Sequence, residues 1–211
     1  MKIVKNPTFI YRFFLLGAPL LFVPCFPRLM AQAEPNGAAS QQQAPAATAV
    51  LQRDGSHDFD FLIGDWKAHA RALLSRLDGS NNPKDWVDQE GISNHKKLLD
   101  SNANFEEFDA YSVQLHKRNK GQTLRLYNPE THQWSIYLVD VDKGTLDLPP
   151  VIGQFTGNRG EFYNQDTYKG RAIYVRYVWL NISPKSAQME ESWSTDGGKT
   201  WEVNWICELS R

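Results

Sequence analysis

Cysteine is almost missing. Cys25 and Cys207 are the only two, so neither a disulfide framework nor a cysteine-rich zinc site can organise the fold. Histidine is equally thin: His57, His69, His95, His116 and His132 are scattered, with neither HxH nor HExxH spacing, and no metal ligand set is expected. An excess of one charge is also absent, with 23 Lys+Arg against 24 Asp+Glu, and such a balance predicts no nucleic-acid partner. A bilayer span needs roughly 20 apolar residues. The N-terminal run from Phe13 to Phe26 is shorter and is broken by Pro19 and Pro24, so no integral membrane span is expected in the mature chain. Nucleophile-elbow spacing is missing around Ser192 and Ser194, and no catalytic residue is assigned.

What is present divides the chain into three parts. Lys2, Lys5 and Arg12 precede the apolar run, and Ala31-Gln32-Ala33 places small residues at the two positions a signal peptidase reads, so residues 1–33 are expected to be a signal peptide. The protein is then exported, to the periplasm or the extracellular space. Cleavage would leave nineteen basic against twenty-four acidic residues, with Cys207 as the only thiol. Residues 34–56 are rich in Ala, Gln and Pro and poor in large apolar side chains; they are expected to form a flexible leader. Residues 57–211 hold all seven tryptophans and suit one folded domain.

That domain is expected to be all-β. Trp201, Val203, Trp205, Cys207 and Leu209 alternate with Glu202, Asn204 and Glu208, a period of two that means a strand with one buried face. Ala187, Met189 and Trp193 repeat the pattern, and Asp196-Gly197-Gly198 between the two rows suits a turn with positive φ. Earlier strands are predicted at Thr123–Tyr127, Gln133–Val139, Arg159–Tyr168 and Ala172–Ile182, with Asn128-Pro129-Glu130-Thr131 as a turn. Upstream, Asp85–Leu99 and Asn104–His116 supply two or three strands, with Glu90-Gly91 as an expected interruption. Alanines at 68, 70 and 72 leave the period of Lys67–Leu77 unresolved; strand is chosen because the rest of the chain is strand-like. Phe59, Leu62 and Ile63 are expected to form a short helical turn that plugs one end. The total is about eight to ten strands in a single antiparallel barrel, whose closure removes the edges. A two-sheet sandwich is the alternative.

The segment Phe61-Leu62-Ile63-Gly64-Asp65-Trp66 resembles the opening of lipocalin-like, or calycin-like, barrels, where a Gly-x-Trp segment starts the first strand. Together with Leu126-Tyr127-Asn128-Pro129, Trp134, the Phe155–Phe162 stretch and the Trp193–Trp205 hairpin, it is similar to a bacterial family of exported calycin-like proteins of uncharacterised function. The resemblance covers residues 57–209. It implies a barrel whose interior binds a small molecule, with Trp66, Trp134, Trp193, Trp201 and Trp205 as scaffold. Some small calycin barrels ligate haem through a histidine, but no histidine here matches such a ligand, so no cofactor is predicted and haem stays a minor alternative. The spacing Ser194-x-Asp196-x-Gly198-x-Thr200-Trp201 also resembles the Asp-box of sialidases and other β-propellers. It implies a turn held by Asp196, without glycosidase chemistry.

Two groups of residues are candidates for ligand contacts. Arg125 and Tyr127, beside Tyr137, can form a polar wall that orients a carboxylate or carbonyl in an aromatic cavity. Tyr174 and Arg176 share one side of their strand, while Tyr177 and Trp179 share the other, and the sequence leaves open which side faces inward. An inward Arg176 needs an acidic partner, for which Glu161 and Glu191 are the candidates. The expected function is binding of a small, partly apolar molecule by an exported barrel. The alternatives are an envelope structural or protein-interaction module and, further off, a small-molecule isomerase or hydrolase.

Overall fold

A computed structural model describes residues 53–79, 85–98 and 102–211. The expected signal peptide and most of the expected leader lie outside the described residues. Arg53–Ser56, assigned to the leader on composition, pack onto the barrel: Ser56 is buried and Arg53 forms an ion pair with Asp58.

Among the described residues, eleven antiparallel strands follow a 3-10 turn at Asp60–Leu62. They are β1 (Gly64–Leu73), β2 (Trp86–Lys97), β3 (Ala103–Ser112), β4 (Lys117–Asn128), β5 (Gln133–Asp140), β6 (Thr145–Leu146), β7 (Val151–Thr156), β8 (Arg159–Tyr168), β9 (Arg171–Ser183), β10 (Ser186–Ser194) and β11 (Glu202–Ser210). Ten of them form a ring. β4 pairs with both β3 and β5, β5 continues to β7, and β11 pairs with β1, while the two-residue β6 hangs on β5. The circuit of ladders is therefore closed, and the sandwich alternative does not apply. The protein is an all-β, closed antiparallel barrel.

Period-two alternation sets the inner face. On β9 the inward residues are Ile173, Val175, Tyr177 and Trp179, all buried. On β1 they are Trp66, Ala68, Ala70 and Ala72, so the unresolved alanines face the interior of a strand. The expected break at Glu90-Gly91 does not occur. Gly91 sits mid-strand because a Cβ there would overlap the Asp109 carbonyl oxygen on β3, and Gly153 meets Glu161 of β8 in the same way. Close backbone approach, rather than chain reversal, is what these glycines supply.

One end is plugged. The Phe59 ring, fully buried, meets Trp134, Phe155 and Trp179 edge-on at 5.1, 5.0 and 5.9 Å and stacks on Phe162 at 5.5 Å. Gly64, at φ 114°, then turns the chain into β1. Indole donors fasten the plug: Trp66 Nε1 donates to the Leu62 carbonyl at 2.7 Å and Trp134 Nε1 to that of Gly55 at 2.9 Å.

The β10–β11 hairpin forms at Ser194–Trp201. Asp196 accepts from the backbone N–H groups of Lys199 and Thr200 at 3.0 and 2.9 Å and from the Thr200 hydroxyl at 2.6 Å, while Trp201 Nε1 donates to the Gly198 carbonyl at 3.0 Å. The alternation places Trp201 in the inward row, but the β10–β11 register slips between Glu191 and Ser192, and this bulge exchanges the two faces of β11 ahead of Trp205. The Trp201 ring instead lies on the outer face, with Arg176 Cζ 4.4 Å from its centre and the Tyr163 ring at 6.1 Å. In urea denaturation, Trp134→Ala is expected to cost about 3–5 kcal/mol, as for a fully buried aromatic. Trp201→Ala should cost clearly less, because that ring is only half-buried.

Candidate functional site

Above the plug the barrel holds a cavity of about 340 Å³ that opens to solvent beside Lys120, Val141 and Asp142. Trp179, Trp205, Phe108, Leu138 and Met189 are large apolar side chains of its wall, which Lys120, Gln122, Asp140, Asp142 and Asp147 also line. An adjoining hollow of about 260 Å³ shares Ile136, Leu138, Tyr177 and Glu191 with it and adds Arg76, Asn164 and Asp166.

The floor is a buried polar cluster on β2, β3 and β4. Antiparallel register sets Asn104 opposite Arg125 and His95 opposite Glu106, and all four side chains point inward. Arg125 Nη2 forms an ion pair with Glu106 Oε2, and Nη1 donates to Asn104 Oδ1 at 3.1 Å. Ser93 Oγ donates to Glu106 Oε1 at 2.7 Å. That uses the hydroxyl's one proton, so in the 2.8 Å contact His95 Nε2 is the donor to Ser93 Oγ, and His95 Nδ1 accepts from Arg125 Nη1 at 3.4 Å. The imidazole is neutral. Burial and the neighbouring Arg125 charge depress its pKa to about 4. For Glu106 burial alone would raise the pKa, yet the charge of Arg125, with the hydrogen bond from Ser93, holds it down at about 2. Two donors in this region, Arg125 Nε and Trp179 Nε1, are buried without a hydrogen-bond partner among the described residues.

Glu191 of β10 lies on the cavity wall. Its Oε1 accepts from Trp193 Nε1 at 2.5 Å. Burial raises its pKa, against the opposing pull of Arg76 and Trp193. Burial likewise raises Tyr177 and the Cys207 thiol, so Cys207 is a packing residue in the wall rather than a nucleophile.

Of the six side chains singled out from the sequence, Arg125 alone lines this cavity. Tyr127 points inward but lies against the plug, where its hydroxyl accepts from the Gly55 N–H at 3.0 Å. Tyr137 alternates outward between Ile136 and Leu138, so the three do not make one wall. Tyr174 and Arg176 are on the outer face, Tyr174 exposed and Arg176 over Trp201. Glu161 is outside too, and pairs with Arg159 and Tyr163 at 2.7 and 2.6 Å. Sequence reasoning passed over Glu106, Phe108 and Met189. A signal existed for the first, since Asn104 and Glu106 are polar residues on the same face of a strand as buried Ala110.

No protein-family model matches the sequence, and no curated protein matches it. Among solved structures, the fold is similar to that of an S-type phycobiliprotein lyase, CPES, from Guillardia theta, at 11% identity and a TM-score of 0.49 over 76% of this chain and 93% of that one. It is also similar to EF1p2_mFAP2b bound to DFHBI, at 11% identity and a TM-score of 0.38 over 74% of this chain and 98% of that one. The closed circuit of ladders makes the chain an antiparallel barrel with a cavity.

Two outcomes follow from the floor. Arg125→Met leaves Glu106 buried without its counter-charge and is expected to cost about 3–5 kcal/mol, whereas Arg125→Met combined with Glu106→Leu should recover much of that loss, as read by chemical denaturation. His95 titrates at about 4 when folded against 6.5 when free. Its contribution to stability is therefore complete above pH 6.5 and is lost as pH falls toward 4, because only the unfolded chain binds the proton in that window. His95→Gln removes this step, so the parent's stability relative to the variant should be constant above pH 7 and should decline between pH 6.5 and 4.

Proposed function

We propose that this is an exported binding protein that holds one small, partly apolar molecule inside the barrel. The observation that carries the reading is the cavity of about 340 Å³ walled by Trp179, Trp205, Phe108 and Leu138 over a polar floor. Its size falls in the range of small-molecule sites, roughly 300–1,000 Å³, and so does its makeup of apolar walls with a few fixed polar groups. Arg125 contributes to this floor by orienting Glu106 and by its remaining Nε donor. Export is supported by the basic N-terminus, apolar run and Ala31-Gln32-Ala33 of the sequence.

Leu138 borders both the cavity and the adjoining hollow, which makes it the place to close them. Native mass spectrometry of the mature protein after exposure to a cell extract is expected to show a retained small molecule, with quenching or a shift of tryptophan emission on its return to the stripped protein. Leu138→Trp should abolish both signals while leaving far-UV circular dichroism unchanged. A parent protein that retains nothing and shows no emission change would overturn the reading.

A further inference from the structure

The hollow beside the main cavity has an unbalanced set of charges. Asp147, Asp166 and Glu191 line it against Arg76 alone. Arg76 does not form a close ion pair with any of them among the described residues; its Nε donates to the Leu73 carbonyl at 3.2 Å and its guanidinium lies 4.7 Å over the Trp193 ring. Glu191 has one oxygen engaged by Trp193 Nε1. Its carboxyl is thus half-buried with a single neutral donor, and this burial raises its pKa. The second observation is Asn164. Its Nδ2 donates to the Pro149 carbonyl at 2.9 Å, which fixes the amide's orientation, and its Oδ1 is buried without a partner among the described residues. Arg76 apart, the groups left open here accept hydrogen bonds. In the main cavity, meanwhile, the Arg125 charge is already answered by Glu106.

We propose that the ligand is a protonated primary amine with an apolar body, its ammonium donating to Glu191 and Asn164 Oδ1 in the side hollow and its body lying along Leu138, Tyr177 and Trp179 in the main cavity. This rests on the cavity-binding reading given above. An ammonium brings donors to the orphaned acceptor and a counter-charge to the acidic wall, and the aromatic faces attract it further. A carboxylate of the same length meets the opposite situation. It enters a space whose carboxyls outnumber its cations and whose deepest cation is already paired, so its desolvation is not compensated.

Three probes of one length separate the possibilities: octylamine as the ammonium, octanoate and 1-octanol, titrated at neutral pH by calorimetry. Octylammonium is expected to bind at least tenfold more tightly than octanoate. Glu191→Gln should weaken octylammonium at least tenfold and leave 1-octanol unchanged, and Asn164→Leu should weaken octylammonium again without affecting the alcohol. The unchanged alcohol reports that each variant keeps a folded cavity. Octanoate binding as tightly as the amine, or an amine affinity unaffected by Glu191→Gln, overturns the amine assignment and leaves the cavity reading standing when the alcohol binds. Failure of all three probes to bind the parent overturns both.

Discussion

The Phe59 ring is the contact on which the rest of the barrel depends. A closed ring of ten strands has no reason to be solid at its end unless something fills it, and this one ring touches side chains from β5, β7, β8 and β9 at once. On its other side lies the Arg125 guanidinium, with Cζ 5.2 Å from the ring centre. The plug therefore ends where the polar floor begins. Below that level the interior is packed with aromatics; above it the same inward rows leave space.

Placing an arginine at that boundary has a physical requirement. A cation beneath a hydrophobic cavity is tolerable only if its charge is met at once, and β3 meets it through Glu106, with Asn104 and the neutral His95 taking up other donors. The result is a floor that is polar in hydrogen bonding and close to neutral in charge. Selectivity for a charged group must then come from elsewhere on the wall, and Glu191, on the opposite arc of strands, is placed to supply it.

Local chemistry made much of the fold legible in the sequence. Asn128 begins a turn because its side-chain oxygen accepts from Glu130 and Thr131, and Gly64 leaves the plug at a positive φ that few other residues adopt. Asp196 and its neighbours spell their own hairpin. The site was less legible, because which face of a strand is inner depends on partners far along the chain. On β9, Tyr174 and Arg176 look as suitable for a binding face as Tyr177 and Trp179; β8 and β10 decide between them. Gly91 misled for a related reason. A glycine that ends a strand and one that admits a neighbouring backbone look alike until the neighbour is known. Trp201 continues the alternation on paper, but the bulge in the β10–β11 ladder exchanges the faces and puts its ring outside.

The order of strands around the ring has a consequence for how the molecule comes together. Leaving aside the small β6, every ladder joins strands that follow one another along the chain, except the pairing of β1 with β11. Successive hairpins can zip with short loop closures, but the final seam brings Lys67 to Ser210 and bears the loop-closure entropy of nearly the whole domain. Until that seam forms, β1 and β11 are two open edges capable of pairing with other chains. The vulnerable moment in this protein's life is thus a nearly complete meander that has not yet met its own beginning.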